Sequence, residues 1–212
     1  MSARTGRATA RAPLDKPGAL NAPLFRTIVE QLEAGGRHVV LELGPASTPM
    51  LELLGRFRCR VEIADLADGG IERLNAAAAL EEGANAALEA TAEALLPPPD
   101  REPFALVFCW DLPNYLQPAA LSALMTAVAA RTEVRGLAHA LIVYSERSMP
   151  QHPGRWVPDE ELRLVDRRDP TAQVPAPRYS PEDLGRNMGG FAIDRGRLLA
   201  NGMQEMLFRL PV

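Results

Sequence analysis

The stretch His38-Val39-Val40-Leu41-Glu42-Leu43-Gly44-Pro45-Ala46-Ser47-Thr48-Pro49-Met50-Leu51-Glu52-Leu53-Leu54-Gly55-Arg56-Phe57 decides the fold. Val39, Val40, Leu41 and Leu43 form a short apolar run behind Gly35-Gly36, the composition of a strand buried on both faces of a parallel sheet. Gly44 can adopt a positive φ and Pro45 has no N–H for a ladder, so the strand stops there. Ser47 or Thr48 then caps a helix whose first turn holds Pro49 and whose Met50, Leu51, Leu53, Leu54 and Phe57 recur at helical spacing. A strand ending in glycine, a tight turn and a helix N-terminus make a place for an anion or a nucleotide ribose, although any αβ unit can need a glycine at such a turn.

Downstream, Arg58 to Asp65 alternates polar and apolar and ends acidic, as the second strand of a βαβ unit does. Asp65 follows Gly44 at about the 20-residue interval at which Rossmann-like folds place the carboxylate that accepts hydrogen bonds from ribose hydroxyls. Two alternatives stay open: Asp65 caps a helix near Gly69-Gly70, or Glu62 takes the acidic role. Residues 71–96 are alanine-rich, with Leu74, Leu80, Leu88, Leu95 and Leu96, which predicts helix, and Pro97-Pro98-Pro99 reads as an extended spacer.

Phe104 through Trp110 is the second continuous apolar run and predicts another central strand. Asp111, Asn114 and Tyr115 follow at its C-terminal end, where open parallel sheets bind ligands; the same residues would also serve a plain turn with a packed tyrosine. A helix over 118–131 leads to a strand over 137–144, which ends in Tyr144, Ser145 and Glu146 above the same cleft. His139 lies at the start of that strand, far from the cleft, and reads as structural. Upstream, Leu24, Ile28, Val29 and Leu32 predict a helix over 20–34.

Residues 147–178 are rich in proline and arginine, with a short strand at 161–165, and read as a loop insertion above the site. His152, Arg155 and Trp156 are its candidate pocket lining. Ser180-Pro181-Glu182-Asp183 starts a helix, and residues 190–194 and 203–210 supply two last strands.

Glu42-Leu43-Gly44-Pro45-Ala46-Ser47-Thr48 resembles the acidic-x-Gly-x-Gly-x-Gly first motif of class I S-adenosylmethionine-dependent methyltransferases, with Ala46 and Thr48 where that family has its second and third glycines. The segment after Trp110 resembles the family's fourth motif, and the order of Ser-Pro-Glu-Asp-Leu helix, Gly-Phe strand and last strand resembles its C-terminal third. The resemblance runs from about residue 24 to the C-terminus and implies a Rossmann-like, doubly wound, mostly parallel α/β sheet with helices on both faces and an antiparallel C-terminal strand. It implies S-adenosylmethionine as cofactor, with Glu42, Gly44, Ala46, Ser47, Asp65 and Asp111 around it, and Asp111, Tyr115 and Glu146 as catalytic candidates. In the family a third strand falls within 76–96 with an Asp-Ala pair near the adenine; here Thr91 stands in the Asp position, so that strand is expected to be missing or replaced. The alternative is a methyltransferase-like binding or scaffold protein without catalysis.

The bulk composition narrows the partners. The 212 residues suit one domain over 20–212, behind a disordered basic tail over 1–19. Lys+Arg of 23 against Asp+Glu of 27 leaves a net charge of -4, which supplies no broad basic field for nucleic acid or anionic membrane and favours a small-molecule or protein substrate. No run approaches the roughly 20 apolar residues of a membrane span, and a cytoplasmic location is expected. Cys59 and Cys109, both in predicted strands, read as buried thiols, and no residues stand at metal-ligand spacing.

Overall fold

The computed structural model describes residues 18–80, 85–99, 101–169, 171–177 and 179–212. The elements are β1 (Ala19–Leu20), α1 (Pro23–Glu33), β2 (His38–Glu42), α2 (Thr48–Gly55), β3 (Cys59–Ile63), α3 (Gly70–Ala78), α4 (Asn85–Ala94), β4 (Phe104–Trp110), α5 (Pro118–Ala129) and β5 (Thr132–Val143). They continue with β6 (Ser148–Pro150), β7 (Trp156–Pro158), β8 (Leu164–Asp166), β9 (Gln173–Pro175), α6 (Pro181–Asn187), β10 (Ala192–Leu198) and β11 (Met203–Arg209).

Six strands make the central sheet, in the order β10-β11-β5-β4-β2-β3. β3, β2, β4 and β5 run parallel, while β11 lies antiparallel to β5 and β10 antiparallel to β11. The apolar runs predicted as central strands are central, because side chains on both of their faces are covered: Val40 and Leu41 on β2, and Val107 and Phe108 on β4, have no exposed surface. One face packs into a core that includes Leu74, Leu88, Leu121 and Leu184 of α3 to α6; the other packs against Phe25 and Ile28 of α1 and Leu53 and Leu54 of α2.

Residues 71–96 form the two helices α3 and α4 and, among the described residues, no strand; β3 is therefore the edge of the sheet. Of the basic tail expected over 1–19, residues 1–17 lie outside the described residues, and Ala19 is paired in β1 with Val165 of β8. Cys59 is half-buried rather than buried, and Cys109 is buried.

His139 departs from its expected place. The strand begins at Thr132 rather than 137, so the histidine lies mid-strand and fully buried. Its Nε2 lies 2.9 Å from Glu205 Oε1 on β11, while its Nδ1 has no partner among the described residues. The same Glu205 carboxylate accepts from the backbone N–H groups of Leu24 (2.9 Å) and Phe25 (2.7 Å). Pro23, at the first position of α1, has no N–H to satisfy, so Glu205 caps the helix from the strand it packs on.

Candidate active site

Residues 147–178, expected as a loop insertion, contribute strands to two small sheets. β7 and β8 pair as an antiparallel hairpin extended by β1, and β6 pairs with β9. β7 packs on α2, next to the glycine turn, and the segment before it reaches the C-terminal end of β4.

Glu42 ends β2. Its Oε1 accepts from the Gly44 N–H at 3.1 Å and from the Trp110 indole N–H, and the side chain is buried. Burial pushes its carboxyl up to about 8; the bonds from Trp110 and Gly44 pull the other way, and nearby Asp65 adds to the rise. Trp110 reaches this position because it has φ +50° at an irregularity in the β4–β5 register, with its ring stacked on Phe108 at 5.1 Å. A Cβ on Gly44 would stand 2.8 Å from Trp110 Cδ1, so the glycine is required by the indole packed against it. Ser47 is the helix cap, accepting from Met50 N–H at 3.4 Å.

Asp65 follows β3 with φ +39°, a conformation that aspartate tolerates better than most residues. The Leu66 N–H bonds the Leu43 carbonyl at 2.8 Å, which sets Asp65 beside the end of β2. Its Oδ1 is buried and has no hydrogen-bond partner among the described residues. Desolvation raises its pKa, as does Asp68, while the Ala67 N–H and Arg155 lower it. Asp65 does not cap α3, whose N-cap is Gly69 with no side-chain bond, and Glu62 pairs with Arg60 and Arg101.

Asp111 is buried, and both its oxygens accept from the Gly154 N–H, at 3.0 and 2.9 Å. Arg168 Nη2 lies 3.3 Å from Oδ2. Burial pushes its carboxyl up to about 6, against the pull of Arg168, the Gly154 N–H and the neighbouring Trp156 indole, whose buried N–H makes no well-formed hydrogen bond. Tyr115 donates toward the carbonyls of Pro150 (3.0 Å) and His152 (2.9 Å) and accepts from Arg168 at 3.2 Å; burial pushes its phenol far up, so it stays protonated. Asn114 donates to the carbonyls of Asp111 and Leu141 and accepts from Val143 N–H, tying β4 to β5. Glu146 makes no hydrogen bond or ion pair among the described residues.

Two cavities result. The larger, about 540 Å³, is lined by all three catalytic candidates, Asp111, Tyr115 and Glu146, together with Arg168 and apolar Leu20, Val143, Met149 and Met203. The smaller, about 360 Å³, is lined by Pro45, Ala46, Ser47 and Thr48 of the glycine turn and by Arg155 and Arg167 of the insertion. Trp156 lines both. The candidates therefore do not share one open cleft: the insertion divides them, with Glu42 and Gly44 turned to Trp110 beneath. Of the expected lining, Arg155 and Trp156 serve, whereas His152 contributes its carbonyl to Tyr115 and Arg168. Arg168, Asp166 and Gly154 were not singled out by the sequence, although the alternation in Leu164-Val165-Asp166-Arg167-Arg168 puts Asp166 and Arg168 on one face of a strand and Arg167 on the other.

No model of a known protein family matches the chain, and no curated protein matches it. Solved structures do. An S-adenosylmethionine-dependent methyltransferase from Clostridium acetobutylicum superposes with a TM-score of 0.50 at 14% identity, over 89% of this chain and 91% of that one. The 1,6-didemethyltoxoflavin-N1-methyltransferase of Burkholderia thailandensis superposes at 0.49 with 15% identity, over 89% and 78%. The glycopeptide N-methyltransferase MtfA does so at 0.49 with 16% identity, over 96% and 100%. The first of these likenesses is one of fold: the chain has the class I S-adenosylmethionine-dependent methyltransferase fold.

Proposed function

We propose that this chain, with the class I fold as its frame, is an S-adenosylmethionine-dependent methyltransferase whose acceptor is a small molecule held in the 540 Å³ cavity. The observation that carries the reading is the buried, unpartnered Oδ1 of Asp65 beside the glycine turn. Leaving a buried acceptor unpaired costs about 1–3 kcal/mol, a cost that a donor such as a ribose hydroxyl would relieve. The residues present fit the cofactor at that end: Asp65 would hold the ribose, and Ala46 and Ser47 would border it.

When bound, the cofactor supplies a methyl group on a sulfonium, transferred by in-line displacement, so the protein's work is to place the acceptor and take its proton. Leu20, Val143, Met149 and Met203 give the cavity apolar walls against which an acceptor can pack. Asp111 and Tyr115 anchor the insertion that forms its roof, through Gly154, Pro150 and His152. Glu146 is the candidate base, since it alone of the three carries no partner that would have to be displaced.

One observation favours the second reading, a methyltransferase-like binding protein: the Trp110 indole fills the approach to Gly44. Calorimetry with S-adenosylhomocysteine separates the two. Micromolar to sub-millimolar binding that weakens roughly tenfold or more in Asp65→Ala supports the enzyme reading. No heat and no thermal shift at millimolar ligand would leave the scaffold.

A further inference from the structure

We propose that Arg155 and Arg167 form an oxyanion site over the glycine turn, built to hold a carboxylate or phosphate group in the 360 Å³ cavity. β7 and β8 pair Trp156 with Asp166, so Arg155 and Arg167 stand opposite each other one step further along, where the Arg167 N–H donates to the Arg155 carbonyl at 2.8 Å. Like charges directly opposite on an antiparallel pair destabilise it. Neither guanidinium has an ion-pair partner among the described residues, in contrast to the neighbouring Arg163 and Arg168: Arg168 pairs with Asp111 and Asp166, and Arg163 with Asp159 and Glu161.

Both side chains line the cavity whose far wall is Ala46, Ser47 and Thr48. An oxyanion between the two forks would replace their repulsion with charge-assisted hydrogen bonds, for which planar guanidinium groups suit carboxylate and phosphate alike. The start of α2 adds little by itself, because Pro49 has no N–H and Met50 N–H is already bonded to Ser47. The arginines carry the site. Arg155 also pulls down the pKa of Asp65, so its charge is felt at the proposed ribose carboxylate. Two sources fit this chemistry, the amino-acid carboxylate of the cofactor and an acidic group on another small molecule. The site itself does not depend on the methyl-transfer reading.

Calorimetry on the full chain at constant ionic strength tests it with three probes: inorganic phosphate, S-adenosylhomocysteine, and 5′-methylthioadenosine, which lacks the amino-acid carboxylate. Phosphate is expected to bind and to lose roughly tenfold or more in affinity in the Arg155→Ala/Arg167→Ala variant. Both arginines are exposed and repel each other, so the variant should melt no lower than the parent. If the cofactor supplies the anion, the wild type prefers S-adenosylhomocysteine over 5′-methylthioadenosine and the variant loses the preference. If another molecule supplies it, the preference is insensitive to the arginines while phosphate binding is lost. When neither nucleoside binds, the methyltransferase reading fails and the phosphate measurement alone decides this one. Unchanged phosphate affinity together with an unchanged nucleoside preference in the variant overturns the site.

Discussion

The indole N–H of Trp110 donates to the carboxyl of Glu42, two residues before Gly44, with both side chains buried. Because burial raises the folded-state pKa of Glu42 from 4.5 to about 8, the folded chain retains a proton that the unfolded chain releases between those values. Stability contributed by this group is therefore full at low pH and falls as pH rises through that window. Glutamine keeps an acceptor for Trp110 and Gly44 without the charge. Glu42→Gln should melt higher than the parent at about pH 9, by an amount on the order of a few kcal/mol, with the gap closing below about pH 5. A gap of equal size at both ends would show that burial of the charge is not what matters.

Asp111 holds the insertion through Gly154 and Arg168. Asp111→Ala leaves the Gly154 N–H without its acceptor and Arg168 with Asp166 as its remaining carboxylate. Hydrogen exchange at Gly154 and across 148–175 should speed up by at least tenfold while β2 and β4 keep their protection. Unaltered protection at Gly154 would mean that the loop is held by its own small sheets.

Glu205 serves three donors at once, Leu24 N–H, Phe25 N–H and the His139 ring. Removing it by Glu205→Ala strands all three inside the protein, and urea unfolding should show a loss of about 3–5 kcal/mol. Glu205→Gln should cost less, since one amide oxygen still accepts. A loss below about 1 kcal/mol for the alanine variant would contradict the capping role.

The two glycines around the end of α6 should respond with opposite sign. At Gly189, φ is +59° and a Cβ would overlap the backbone of Met125 and Thr126 in α5, so Gly189→Ala should destabilise by more than about 2 kcal/mol. Gly185 lies inside the helix with nothing within 4 Å of a Cβ, and Gly185→Ala should stabilise by roughly 0.5–1 kcal/mol. Thermal unfolding of both variants checks the pair.

The central strands were legible because burial on both faces leaves an unbroken apolar run, as in β2 and β4. The place of Asp65 beside the end of β2 was legible because a βαβ unit sets its distance from the glycine. The start of β5 was not: Glu133, Val134 and Arg135 are exposed and Arg135 has φ +68°, so the apolar signal begins only at Leu137. β1 is two residues long and carries no period at all. The partners of Asp111 lie 43 and 57 positions away, in a segment whose irregular composition gives no pairing rule, and so an acidic residue expected to face ligand proved to be engaged by the protein itself.

Glu205 reaches α1 across a separation of 181 positions to Leu24. During synthesis the helix emerges early, yet its first turn lacks its Glu205 acceptor until residue 205 has been made. A nascent chain halted before β11 would hold a frayed α1 and a sheet whose β5 edge is unpaired, so commitment to the native state awaits the last strand. Stalled-chain pulse proteolysis should show α1 passing from cleavable to resistant only when residue 205 clears the exit tunnel.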